Sequence, residues 1–203
     1  MKIALIGASG VIGQAIQAEA VSRRHQLSAF ARHPEKITPQ TGVTVAALDI
    51  NNTDALAQVA QNHEVVIMSV KYTGLHAKAI IEALRTASDV RLLAVGGAGS
   101  LVGPEGVQIV DTAGFPVEWK PEAVAARDFL ELLREENPLD WSYLSPSAII
   151  ESGQRTGKFR LGKDTLLLNE HGDSRISVQD YAVALVDELE NPAHRRQRFT
   201  VGY

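Results

Sequence analysis

The sequence predicts an α/β fold: a three-layer αβα sandwich built on a mostly parallel, doubly wound sheet. Three observations lead there. Short apolar runs recur along the chain, as buried strands do. Between them apolar residues return at helical spacing. The alternation of the two implies a parallel sheet covered on both faces, joined by right-handed crossovers.

Each element has its own justification. Residues 2–7, Lys-Ile-Ala-Leu-Ile-Gly, form an apolar run closed by glycine. From Val11 to Arg23 the spacing turns helical. Leu27–Ala31 reads as a second strand, stopped by Pro34, and Val43–Leu48 as a third. Thr53–Gln61 reads as a helix capped by Asn52 or Thr53. The β-branched run Glu64–Val70 is the fourth strand. Ala77, Ile80, Ile81 and Leu84 then share one helical face. Arg91–Val95 is the fifth strand and ends at Gly96-Gly97. From Ala98 to Val117 the period disappears and Gly and Pro accumulate, a length that implies function, mobility or both. Ala126, Phe129, Leu130 and Leu133 mark the buried face of the next helix. Trp141–Leu144 is the sixth strand, followed by Pro146. Gly157–Leu161 and Thr165–Asn169 read as a hairpin, and Ser177 as the cap of a helix burying Ala182, Leu185, Val186 and Leu189. Phe199–Val201 is the last strand. The expectation is one domain, residues 1–203, with 147–203 as a small extension on the substrate side.

Composition excludes several classes of protein. The chain has 203 residues and no cysteine, which rules out a disulfide framework and a cysteine-based zinc site. Its six histidines, at 25, 33, 63, 76, 171 and 194, have no metal-ligand spacing. A net charge of −4 argues against a nucleic-acid or anionic-membrane binder, and reads the basic run His194–Arg198 as a solvated turn. No apolar run is long enough to span a membrane. The first run stops at Gly7, too short for a signal peptide, so the expected location is cytoplasmic.

The chemistry is concentrated at the ends of the predicted strands. Gly7-Ala8-Ser9-Gly10-Val11-Ile12-Gly13 has GxxGxxG spacing between the first strand and the first helix. In that context glycines permit a tight turn and close approach of a diphosphate, which the helix N-terminus holds. Gly7, Ser9, Gly10, Val11, Ile12 and Gly13 are therefore the diphosphate candidates. After the second strand, where an NAD site carries an acid, this chain has Phe30-Ala31-Arg32-His33. Arg32 can fork onto a 2′-phosphate, so NADP(H) is expected over NAD(H). Asp49 is placed to reach adenine, with Leu48 and Ile50 flanking the ring. Ser69, Val70 and Lys71 should line the ribose–nicotinamide side, and Tyr72 is a catalytic candidate placed to cap the ring.

The opening GASGVIG, the turn Ala31-Arg32-His33-Pro34-Glu35-Lys36, the segment Leu48-Asp49-Ile50 and the motif Arg175–Ala182 resemble the atypical short-chain dehydrogenase/reductases, which have a Rossmann-like fold. Within them the chain is most similar to the small NAD(P)H-binding branch of flavin reductase (biliverdin-IXβ reductase type) and NmrA-like proteins. The resemblance implies a nicotinamide contact at Ser145-Pro146-Ser147, with Pro146 in the cofactor site. One departure stands out. None of Tyr72, Tyr143, Tyr181 and Tyr203 is followed by lysine four residues later, so the family's usual Tyr-x-x-x-Lys acid is missing.

Lys120, opening the helix after the long loop, is either a substrate or ribose contact or a solvated lysine. Ser100 is the first candidate for a substrate or proton contact. Together these point to an NADPH-dependent reductase passing hydride to a small conjugated acceptor such as a flavin or quinone. The alternative is an NmrA-like redox sensor that binds the dinucleotide without catalysis. A sugar-nucleotide epimerase fits less well, since it needs the tyrosine base and a larger C-terminal domain. The partner is a small-molecule hydride acceptor, with no metal, nucleic acid or membrane, and the protein is a monomer or homodimer.

Overall fold

A computed structural model describes residues 1–87 and 89–203. The strands are β1 (Lys2–Ile6), β2 (Gln26–Ala31), β3 (Val43–Ala47), β4 (Val65–Met68), β5 (Arg91–Val95), β6 (Asp140–Ser145), β7 (Ile149–Glu151), β8 (Arg160–Gly162), β9 (Arg175–Ser177) and β10 (Gln197–Gly202). The helices are α1 (Val11–Ser22), α2 (Thr53–Gln61), α3 (Ala77–Thr86), α4 (Lys120–Glu135) and α5 (Val178–Glu190). The main sheet has eight strands in the order β3-β2-β1-β4-β5-β6-β10-β8. All its pairings are parallel except β10 with β8. The predicted fold class holds.

Two cores lie on opposite faces of this sheet. On one, Leu56, Ile80, Leu84, Phe129, Leu130 and Trp141 pack α2, α3 and α4 onto alternate strand residues such as Ile6, Met68 and Leu92. On the other, Ile16 and Ala20 of α1 meet Tyr181, Leu185 and Leu189 of α5 over Leu5, Ile67, Leu93 and Phe199. The period-two alternation of each strand feeds both layers, which is why the strands read as continuous apolar runs. The caps are where the sequence places them. Asn52 accepts from the Ala55 amide and Ser177 from the Asp180 amide.

The C-terminal quarter departs from its reading. The expected hairpin of Gly157–Leu161 with Thr165–Asn169 does not form. Arg160–Gly162 pairs instead with β10, antiparallel, and Thr165 bridges to Val102. The strands β7 and β9 form a separate parallel pair that the sequence did not suggest. The elements α5 and β10 of this quarter join the main layers.

The aperiodic segment after β5 is packed rather than loose. It folds back on itself through Gly103 N–H to Val107 O (2.9 Å) and Val110 N–H to Gly99 O (2.9 Å). Residues 164–166 clamp it through Val102 N–H to Asp164 O (2.8 Å) and Leu166 N–H to Val102 O (2.9 Å). Its Leu101 and Val110 are fully buried.

Candidate functional site

The strand order turns outward in both directions from β1 and β4, which makes the crevice beyond their C-terminal ends the switch point of the sheet. The loop after β1 reaches it first. Gly7 adopts φ +89°, and a Cβ there would lie 1.9 Å from the Ser69 carbonyl oxygen. A Cβ at Gly13 would lie 2.2 Å from the Gly7 oxygen. Both glycines are thus required by the chain's own close approaches. Gly10 is different. Its Cβ would meet nothing nearer than the Gly7 oxygen at 3.5 Å, and the residue is exposed. Only here does the missing side chain leave room outside the protein, where a diphosphate would come against the backbone.

Gly10 is also the N-cap of α1, with no capping side chain and no acid in the first turn. The first amides of a helix lack intrahelical partners and carry partial positive charge. Val11 and Ile12 begin this turn, and Ser9 precedes it, so the predicted diphosphate stretch forms one continuous rim. The Gly7 and Ala8 amides are engaged by the Phe30 carbonyl (2.8 and 3.2 Å), which fixes the loop to the end of β2.

Arg32 follows directly. It stands exposed beside a cavity of about 320 Å³ lined by Arg32, Ala47, Leu48, Asp49, Asn52 and Ala55. Leu48 is a buried wall and Asp49 is exposed, its carboxylate accepting from the Asn51 amide (3.0 Å). Ile50 is a correction, because its side chain is buried in the core beneath and does not line the cavity. A larger cavity of about 750 Å³ starts at Val11 of this rim and runs along α1 past Glu19 and Arg155.

The loop after β4 lies against the glycine loop. The Ser69 amide donates to the Ile6 carbonyl (2.8 Å), Val70 approaches Gly7, and Lys71 is exposed. Glu122, one turn into α4, holds this loop. Its carboxylate accepts from the Tyr72 amide (2.6 Å), the Thr73 amide (2.9 Å) and the Thr73 hydroxyl. This role is not legible from local pattern, since a glutamate in a first helical turn reads as a dipole partner.

Two catalytic candidates are corrected. Tyr72 is buried, donates its hydroxyl to the Val95 carbonyl (2.8 Å) and packs on Phe129, so it does not cap the crevice. Ser100 is 3% exposed, and its hydroxyl accepts from the buried Arg198 guanidinium (3.3 Å). Arg198 also donates to Ser145 and pairs with Asp164 (2.6 Å), so Ser100 belongs to an internal clamp on the long loop. Pro146 is buried beside that clamp. Lys120 is exposed at the start of α4.

None of the other tyrosines offers a free acid. Tyr143 and Tyr181 are buried with their hydroxyls on the Ala126 and Leu144 carbonyls (3.0 and 2.6 Å). Burial pushes the Tyr143 phenol up to about 12 and raises those of Tyr72 and Tyr181 as well. Tyr203 is held by Ser177 (2.9 Å) and Asp180 (2.8 Å), and partial burial raises its phenol too. Among the described residues there is no cluster of three or more metal-ligating side chains, and no helix long and apolar enough to cross a membrane.

Comparison with known proteins identifies the family. The model of a family described as NAD(P)H-binding matches residues 7–192. The uncharacterized protein YwnB of Bacillus subtilis is 38% identical over 211 residues, covering 99% of this chain and 98% of its own. A Bacteroides thetaiotaomicron structure, provisionally named an epimerase, is 39% identical with a TM-score of 0.93, covering 100% of this chain and 96% of its own. A Streptococcus pneumoniae structure, provisionally named an NADH-flavin reductase, is 34% identical with a TM-score of 0.84, covering 100% and 99%. These findings bear out the expected likeness to NAD(P)H-binding, flavin-reductase-like proteins.

Proposed function

This chain belongs to the NAD(P)H-binding family, and we propose that within it the protein is an NADPH-dependent reductase of a small conjugated acceptor, a flavin or a quinone. The observation that carries the reading is the uncapped start of α1 behind an open Gly10, with Arg32 exposed at the mouth of the neighbouring cavity. The residues present fit a 2′-phosphorylated dinucleotide. The amides from Ser9 to Gly13 would hold its diphosphate. The cavity walled by Leu48 would take adenine, with Asp49 at its edge. Arg32 would fork onto the 2′-phosphate. Ser69, Val70 and Lys71 would face the ribose beside the nicotinamide, and Pro146 would lie across from them.

When bound, the cofactor supplies a hydride, so that NADPH, an oxidised acceptor and one proton give NADP⁺ and the reduced acceptor. The protein's share is orientation, because an electron-poor ring accepts hydride without a strong acid and takes its proton from solvent. That suits a crevice in which the phenols of Tyr72, Tyr143 and Tyr181 are committed to main-chain carbonyls. The same fact weighs against epimerase chemistry, which needs a tyrosine poised to lose its proton.

The test is a steady-state assay with NADPH against a panel of flavins, quinones and sugar nucleotides. The expected result is oxidation of NADPH with FMN or a naphthoquinone and no conversion of the sugars. Tight dinucleotide binding with no turnover on any acceptor would replace this reading with that of a non-catalytic redox sensor.

A further inference from the structure

Folding leaves nine large hydrophobic side chains exposed among the described residues, from Met1 to Tyr203, and three of them stand out. Among the described residues, the large apolar side chains more than 60% exposed are Val11 (64%), Val117 (81%) and Trp119 (61%). All three stand at the C-terminal edge of the sheet, Val11 at the start of α1 and the other two just before α4. Val117 and Trp119 are only two residues apart, and neighbouring exposed apolar groups mark a surface that something covers.

Trp119 is held firmly although its ring is bare. Its amide donates to the Pro116 carbonyl (3.2 Å), and its carbonyl accepts from the Ala123 amide (3.0 Å) as α4 begins. One turn on, Glu122 grips the Tyr72 and Thr73 amides. The same loop starts at Ser69, whose carbonyl occupies the space a Gly7 side chain would need. A row of contacts therefore runs from the glycine loop through residues 69–73 to Glu122, in the helical turn that Trp119 opens.

We infer that Trp119, with Val117 beside it, is the platform on which the acceptor's flat ring stacks. The inference rests on the reductase reading and narrows it, to acceptors with an extended aromatic face. An indole face is electron-rich and binds a flat heterocycle by offset stacking. The ring is rigid on a fixed main chain, so little side-chain entropy is lost when it is covered. Lys120, exposed at the next position, sets a positive charge near a ring that gains electrons. Trp141, the other tryptophan, is 1% exposed and cannot play this part.

The experiment compares wild type with Trp119→Ala and Trp119→Phe, using FMN as the probe. FMN emission, excited where tryptophan does not absorb, is followed as NADP⁺-loaded protein is added. Contact with indole quenches it. The expected result is strong quenching by wild type, lost in Trp119→Ala. In turnover with NADPH, KM for FMN should rise about tenfold in the alanine variant with kcat little changed, and the phenylalanine variant should recover most of the loss. NADPH affinity and the urea midpoint should stay as in wild type, since the side chain is outside the core. Quenching in wild type without any turnover would support the platform while removing the reductase reading. Turnover with an unchanged KM in Trp119→Ala would overturn the platform and leave that reading standing. Displacement of FMN by UDP-glucose at equal concentration would also overturn it, by giving the surface to sugar nucleotides.

Discussion

Where the strands begin, Arg91, Glu188, Ser142 and His194 form a closed, buried network; where they end, Arg32, Lys71 and Lys120 stand exposed with no ion pair among the described residues. At the first end Glu188 accepts from Arg91 (2.6 Å), from Ser142 (3.0 Å), from the Ala193 and His194 amides (3.1 and 3.0 Å) and contacts the His194 ring (2.8 Å). Beside it Arg23 joins Glu19, Asp187 and Glu190, and Glu190 reaches His25. Each charge there is answered from within the chain. At the other end the helix start is uncapped, the cations lack carboxylates and the largest bare apolar groups collect. The contrast separates groups that hold the fold from groups left exposed at the surface, and each half of it can be broken on its own.

Glu188→Ala should give the largest effect. It strands a buried guanidinium, and removing one partner of such a pair costs about 3–5 kcal/mol. Urea unfolding measures it, and the dinucleotide affinity of the folded fraction should not change. The same network predicts an acid limb. Burial opposes ionisation of Glu188, but its donors outweigh that and hold the carboxyl below the ordinary 4.5. Glu19 and Glu190 are lowered as well, chiefly by Arg155 and Arg23 respectively, against the opposing effect of burial. A carboxyl whose pKa is lower folded than unfolded stabilises fully above the unfolded value. That contribution disappears as pH falls through the folded value, so stability should drop below about pH 4.5, and less steeply in Glu188→Gln.

Gly13→Ala should come next. Its methyl meets backbone rather than a flexible side chain, and forced overpacking of this kind costs about 1–3 kcal/mol. Gly10→Ala sharpens the comparison, because the same chemical change is made where nothing of the protein is in the way. It should cost folding under about 1 kcal/mol, the loss expected for alanine in place of glycine at an N-cap. Dinucleotide affinity should fall about tenfold, or about 1.4 kcal/mol, since the methyl intrudes where the diphosphate is expected. Calorimetry on the two variants reads both quantities. Ser100→Ala should do least. Its hydroxyl serves one long contact with Arg198, so the loss is about 1 kcal/mol of stability with kcat little changed.

Much of this contrast is legible in the sequence, and what is not has a physical reason. The glycine loop, Arg32, the Leu48–Asp49 wall and the two caps are local, each set by residues within a few positions of one another. The buried face of α4 is equally local, and Ala126, Phe129, Leu130 and Leu133 are buried as their spacing implies. Spacing assigns a face but not a partner. Arg160–Gly162 has the pattern of a hairpin strand, yet its neighbour is β10, some forty residues on. Ser100 and Tyr72 sit in the expected loops, and only the packed structure shows their hydroxyls turned to Arg198 and Val95. Trp119 stands between Glu118 and Lys120, where spacing does not tell whether an indole turns inward, and its exposure is a tertiary fact.

We propose that the open end of the sheet holds a 2′-phosphorylated dinucleotide. Calorimetric titration of wild type and Arg32→Ala with NADPH and NADH tests it most directly. Charge-assisted hydrogen bonds of the kind Arg32 offers are worth about 1.5–3 kcal/mol. Wild type should therefore prefer NADPH by about ten- to a hundredfold, and Arg32→Ala should bind the two alike, with NADH affinity unchanged. Equal affinities in wild type, or a preference that survives in the variant, would contradict the account.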